Sequence, residues 1–139
     1  MSVQGPIRLK WLEGLQFLAE DEKGHAVLID SPEKGGSGIA FTPKQLLLTS
    51  VAACSAVDVV SILKKMRQDL RGLRVEVRGE QRQEYPRYFT RLWIKYLISG
   101  KVSPEAAQRA IKLSMEKYCS VGATVSGRAQ LVTAFEIVP

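Results

Sequence analysis

Residues 42–70 read TPKQLLLTSVAACSAVDVVSILKKMRQDL, and the organisation of the chain follows from them. Thr42-Pro43 is a strong helix start, with a hydroxyl to cap the first free amides and a proline where no amide proton is needed. From Lys44 to about Leu70 there is neither glycine nor proline, and the centre is nearly all apolar. A helix apolar over most of its circumference must be buried on several sides. A chain of 139 residues has too little material to wrap such a helix alone, so a second copy of the chain is expected to cover it. Thr49, Ser50, Ser55, Asp58 and Ser61 inside the run argue against a membrane span.

Outward from this helix the pattern is that of strands. Ile7 to Leu12 alternates apolar and polar residues, Leu15 to Ala19 can return as a hairpin partner, and His25 to Asp30 reads as a third strand. Ser31 to Gly38 (SPEKGGSG) is a polar turn-rich loop whose glycines lack the strand and helix context of a phosphate loop. On the other side, Arg71-Gly72 is expected to stop the helix. Leu73–Gln83 and Tyr88–Ser99 form two extended segments joined around Tyr85-Pro86-Arg87. Ser103-Pro104 opens a second helix running to Cys119, and Gln130–Val138 is a last strand. This order predicts one α+β domain over residues 1–139, with segregated antiparallel sheets and a long buried central helix.

The net charge of +6 raises the question of nucleic acid. The arginines of the strand pair are interleaved with Glu76, Glu80 and Glu84. A solvated strand face is expected, and no nucleic-acid partner. The start of the chain has no apolar leader pattern and no apolar run approaches about 18 residues, so a cytoplasmic address without membrane attachment is expected.

In a reducing compartment the two cysteines, Cys54 and Cys119, are poor candidates for a structural disulfide. They are apolar fillers, metal ligands or reactive thiols. A metal site is disfavoured by the single histidine, His25, and by the lack of ligand spacing. Cys54 sits among Ala52, Ala53, Ser55 and Ala56, small residues that leave room at a helix crossing. Asp58, one turn further on the same face, is unusual in so apolar a segment; it either orients a group near the thiol or is a capped or solvent-reaching carboxylate.

The string from Thr42 to Leu70, with EKYCSV around Cys119, resembles the OsmC/Ohr family of osmotically inducible and organic-hydroperoxide-resistance proteins. RLKWLEGLQFLAEDEKGHAVLID, PRYFTRLWIKYLISG and the terminal FEIV extend the likeness over the whole chain, toward a less characterised OsmC-like branch. The resemblance implies an intertwined homodimer with its sites at the subunit interface. It also implies a thiol peroxidase of oxidative and osmotic stress defence, acting on small organic hydroperoxides. The position matching Cys54 is the attacking thiolate and that matching Cys119 the resolving thiol. An external dithiol serves as reductant, with no metal or prosthetic cofactor.

The peroxidatic branches of that family pair their thiolate with an arginine from the first strands and a glutamate early in the long helix. Here Lys44 and Gln45 follow Pro43, and Arg8 is the only arginine before Asp30. Gln45 could replace the hydrogen bond of the glutamate but not its charge. Lys44, Arg67, Arg82 or Arg87 could supply a cation. The missing pair motivates an alternative: a dimeric module of the same fold that binds an apolar ligand or senses redox state without peroxidase turnover.

Overall fold

The computed structural model describes Met1–Pro139, which form two compact units, Met1–Leu47 and Leu48–Pro139. In the first unit β1 (Arg8–Glu13), β2 (Gln16–Glu20) and β3 (Ala26–Ile29) make an antiparallel meander in the order β1-β2-β3. Leu9, Trp11, Phe17, Ala19, Val27 and Ile29 are linked by cross-strand pairing and alternation, so they share one sheet face. That face is wholly apolar, yet Leu9, Trp11 and Val27 are exposed. The loop after β3 contains a 3₁₀ turn, Pro32–Lys34. It is tied down by Asp30, a buried side chain that accepts the amides of Ser31 at 2.7 Å and Ile39 at 3.1 Å. Burial alone would raise the Asp30 pKa, but the amide donors outweigh it and hold the carboxyl below its usual range.

Helix α1 (Pro43–Lys65) begins in the first unit and continues in the second. Its start is where the sequence puts it, and a reciprocal pair of bonds makes it a capping box. Thr42 Oγ1 accepts the Gln45 amide at 3.1 Å, and Gln45 Oε1 accepts the Thr42 amide at 2.9 Å. Its end differs from the expectation. The helix stops at Lys65 because Arg67 takes a left-handed conformation (φ 59°), and Gln68 N then closes on Leu63 O. A glycine stop was sought at Gly72, but a non-glycine residue makes the turn. Leu70 and Gly72 lie in the next strand.

In the second unit β4 (Asp69–Gln81), β5 (Phe89–Lys101) and β6 (Gln130–Val138) form a sheet with β5 central. β4 pairs antiparallel to β5 and β6 parallel, because the helical segment between β5 and β6 carries the chain back across one face. The face toward the helices carries Leu92, Ile94, Tyr96 and Ile98, all essentially fully buried. Against them pack Val51, Val59 and Leu63 of α1 and Ala106, Ala107, Ala110 and Ile111 of α2 (Pro104–Leu113). On the other face Glu76 lies opposite Lys95 and Glu80 opposite Arg91, while Lys95 also reaches Glu136 at 3.4 Å. The interleaved charges of the strand pair are thus cross-strand partners on a solvated surface.

The second helix does not run unbroken to Cys119. It ends at Leu113, a π turn spans Ser114–Tyr118, and α3 (Ser120–Ser126), not anticipated from the sequence, follows. Helix α1 is long and apolar enough to cross a membrane by length and composition alone, and only 28% of its most apolar window is buried. Val51, Ala52, Ser55, Val59 and Leu63 are its buried row, whereas Leu47 and Val57 are exposed. The expected burial on several sides is met on one side only within a single chain.

Gly100 sits at φ 113° beside a bulge in the β4–β5 ladder, and a Cβ there would lie 2.1 Å from Asp69 O. Gly100→Ala is expected to destabilise the protein by about 2 kcal/mol through backbone strain, read as a lower urea midpoint. An unchanged midpoint would mean the bulge relaxes freely.

Candidate functional site

The site is built where α1 crosses the π turn above β5. In α1 the small residues Ala52, Cys54, Ser55 and Ala56 allow a second backbone close to the helix axis. Ser55 is completely buried, and its hydroxyl meets two others: Tyr96 Oη of β5 at 2.5 Å and Ser114 Oγ of the π turn at 2.8 Å. Ser114 Oγ donates onward to Asp58 Oδ2 at 2.8 Å. No buried side-chain polar atom lacks a partner, as expected where an unsatisfied hydroxyl would cost about 1–3 kcal/mol.

The π turn does local work. Its wider loop lets Cys119 N donate to Ser114 O at 2.7 Å, five residues back, so that Cys119 leaves the helical path with extended backbone. Cys119 then caps α3, its sulfur accepting the Gly122 amide at 3.2 Å. A thiol here takes the place that serine, threonine or aspartate usually fills. A Cβ at Gly122 would meet the Cys119 sulfur at 3.0 Å, so glycine leaves this close approach unstrained.

Both thiols are free, Cys54 half-buried and Cys119 buried, and Cys54 is close enough to influence the ionisation of Cys119. Burial pushes the Cys119 pKa up from 9.0 to about 11; the Gly122 amide opposes the rise, while the nearby Cys54 and Asp58 add to it. Tyr96 is also raised, chiefly by burial, with Cys119 and Asp58 acting in the same direction.

The structure thus brings together Cys54, Cys119 and Asp58 of the sequence candidates. The other two are engaged in the first unit: Gln45 in the capping box and Lys44 with Glu33 at 3.6 Å. Among the other cation candidates, Arg82 donates to the carbonyls of Glu84, Tyr85 and Pro86, and Arg87 donates to Gln83 O and stacks on Tyr85. Both therefore hold the β4–β5 hairpin loop. Arg67 makes the turn after α1. His25 clasps Asp21 at 2.6 Å across a turn. No three His, Cys, Asp or Glu side chains gather as a metal site would require. Ser55, Tyr96 and Ser114 were missed from the sequence. The available signal was Ser55 with Asp58, two polar residues three apart on one face of an apolar helix.

The chain belongs to the OsmC-like protein family, which matches residues 35–134. It is 41% identical to protein YhfA of Escherichia coli (strain K12) over 133 residues, 94% of this chain and 96% of that one. The fold is shared with a hypothetical protein from Aquifex aeolicus VF5, at TM-score 0.87 and 34% identity, covering 99% of this chain and 98% of that chain. An organic hydroperoxide resistance protein from Elizabethkingia anophelis has the same fold at TM-score 0.75 and 17% identity, covering 99% of this chain and 100% of that chain.

The raised thiol has a consequence for stability. Between pH 9 and pH 11 the unfolded chain has released the Cys119 proton that the folded chain retains, so stability falls as pH rises through that window. Tyr96 adds a loss of the same sign above pH 10. The thermal midpoint is expected to drop between pH 9 and 11 and to drop less in Cys119→Ser; equal slopes in the two proteins would contradict the assignment.

Proposed function

We propose that this protein is a thiol-dependent reductase of organic hydroperoxides, with Cys54 as the attacking thiolate and Cys119 as the resolving thiol. The observation that carries the reading is two neighbouring free thiols of unequal burial on α1 and at the end of the π turn. The half-buried Cys54 is the one a substrate can reach. Attack of its thiolate on the O–O bond gives a sulfenic acid and an alkoxide, which takes up a proton to become an alcohol. The Cys119 thiol then condenses with the sulfenic acid, forming the disulfide and releasing water, and an external dithiol restores both thiols by exchange. Family membership and the fold shared with an organic hydroperoxide resistance protein support this reading. The chemistry suits a reducing cytoplasm, where the disulfide is a transient.

Turnover of an alkyl hydroperoxide with a dithiol reductant is expected in the wild type. It is expected to vanish in Cys54→Ser, while Cys119→Ser accumulates sulfenic acid. No turnover by the wild type, or turnover unchanged in Cys54→Ser, would sink the proposal.

A second reading rests on a specific observation. The cations considered for the thiol are engaged elsewhere: Lys44 faces Glu33, and Arg82 and Arg87 hold the β4–β5 hairpin loop. An interface pocket that captures an apolar ligand or registers redox state would need no activated thiolate. Slow sulfenylation of Cys54 by hydroperoxide, with reversible disulfide formation by diamide, selects it.

Either reading includes a homodimer. Val57 is 68% exposed on an apolar helix, and the meander's apolar face is exposed at Leu9 and Trp11. Patches of this kind mark interaction surfaces. Light scattering at micromolar concentration is expected to give twice the chain mass of 15.4 kDa, and a monomer mass would overturn the dimer.

A further inference from the structure

At one end of the sheet in the second unit, two arginines converge on one phenol. The loop between β4 and β5 carries Arg82 and Tyr88. Arg128 lies just before β6, whose first residue, Gln130, is paired with Arg91 near the start of β5. The guanidinium carbons of Arg82 and Arg128 stand 4.7 Å and 4.6 Å from the centre of the Tyr88 ring. Two like charges gathered at one ring repel, and an anion placed beside them relieves the repulsion. The chain supplies none, since its four ion pairs are His25–Asp21, Lys44–Glu33, Arg71–Asp69 and Lys95–Glu136.

Arg82 is fixed before any ligand arrives. Its Nε donates to Glu84 O at 3.0 Å and to Pro86 O at 2.8 Å, and Nη2 donates to Tyr85 O at 2.7 Å. Nη1 reaches Tyr88 Oη at a long 3.4 Å. A guanidinium has five N–H donors, so one on each Nη is left over. Arg82 and Tyr88 are half-buried and Arg128 is exposed, so the cluster is reachable from the Arg128 side. The Tyr88 pKa reports the same field: Arg82 first, and Arg128 with it, hold it below the usual tyrosine value against the opposing effect of burial. Surroundings that favour negative charge on the phenol oxygen also favour it on a ligand oxygen set beside it.

We propose that Arg82, Tyr88 and Arg128 form a binding site for a phosphate monoester group, built from residues the thiol chemistry does not use. A phosphate dianion answers two cations at once, and a planar guanidinium fork matches two of its oxygens. The Tyr88 hydroxyl, whose own proton can turn to a third oxygen, completes the donor set. Guanidinium groups are presented here in place of open aromatic faces, so the fit is to the phosphate and not to a stacked base. The three carbonyls that hold Arg82 lower the ordering cost of binding.

The test is calorimetric titration of the full chain with inorganic phosphate at neutral pH and fixed ionic strength, with flotation on phosphatidylcholine vesicles with and without phosphatidic acid as a second arm. Saturable binding of phosphate to one site is expected. Arg128→Gln, an exposed substitution that leaves the hairpin contacts of Arg82 intact, is expected to weaken it about tenfold through the loss of one charge-assisted contact. Tyr88→Phe is expected to weaken it about threefold, the loss of one neutral donor. Arg109→Gln on α2 removes the same charge elsewhere and is expected to leave binding unchanged. Saturation by the free ion without retention on the acidic vesicles makes the ligand a soluble ester. Retention on those vesicles, lost in Arg128→Gln and kept in Arg109→Gln, makes it a lipid headgroup; either result upholds the site. No binding in both arms, or equal weakening by Arg109→Gln and Arg128→Gln, overturns it, because the second result is an effect of net charge alone.

Discussion

Ser55 holds together the part of the molecule where its chemistry lies. One hydroxyl on the buried row of α1 joins that helix to the central strand through Tyr96 and to the π turn through Ser114. A polar contact this deep in an apolar core is costly unless every member is satisfied, and here every member is. The constraint is therefore strict. Helix α1 is locked in rotation and register against β5 and the π turn, because a small slip would strand several buried hydroxyls at once. The neighbouring residue is Cys54, so the same lock aims its sulfur. The π turn, pinned at Ser114, sets where Cys119 leaves the helical path. Apolar packing of Val51, Val59 and Leu63 supplies the adhesion, while the polar seam selects which arrangement the adhesion favours.

This division explains what could be read from the sequence. Thr42-Pro43 marked the start of α1 correctly, since capping chemistry is local and leaves its signature in adjacent residues. The final strand, Gln130–Val138, was legible from its alternation. The helix end was not, because Arg67 adopts a conformation normally left to glycine and nothing in its side chain announces it. The π turn and α3 were hidden for a related reason. Residues 104–119 keep helical periodicity across the turn, and a single extra residue in the hydrogen-bonded loop leaves no compositional trace. Of the site itself, the cysteines and Asp58 stood out by residue type. Ser55, Ser114 and Tyr96 did not, since their pairings span 41 and 59 positions and become visible only once the fold brings them together. Gln45 drew attention as a substitute for a missing glutamate, and its amide is engaged in holding the helix start.

The environment of the pair also bears on the missing arginine–glutamate couple. A guanidinium near a thiolate lowers its pKa by charge, and an unneeded cation in an apolar crossing would be costly to bury. This chain buries hydroxyls at the crossing, with one carboxylate at its half-exposed end. The result favours a protonated Cys119 strongly, and it leaves Cys54 as the thiol in contact with whatever reaches the helix from outside.

That division of labour accounts for the odd character of α1. A helix serving only a monomeric core would carry one apolar stripe and a polar back. This one is apolar on its buried row and also at Val57, which is exposed, and two of its polar groups, Ser55 and Asp58, are directed inward to other side chains while Thr49, Ser50 and Ser61 are exposed. The arrangement suits a helix with two demands on it: the polar seam that holds α1 against β5 and the π turn on one side, and a covering chain, as in the proposed dimer, on the other. Since Cys54 lies between these faces, half-buried in a single chain, whatever covers the helix also controls access to the sulfur. In the proposed dimer, assembly and thiol exposure would be coupled through the apolar residues of this helix.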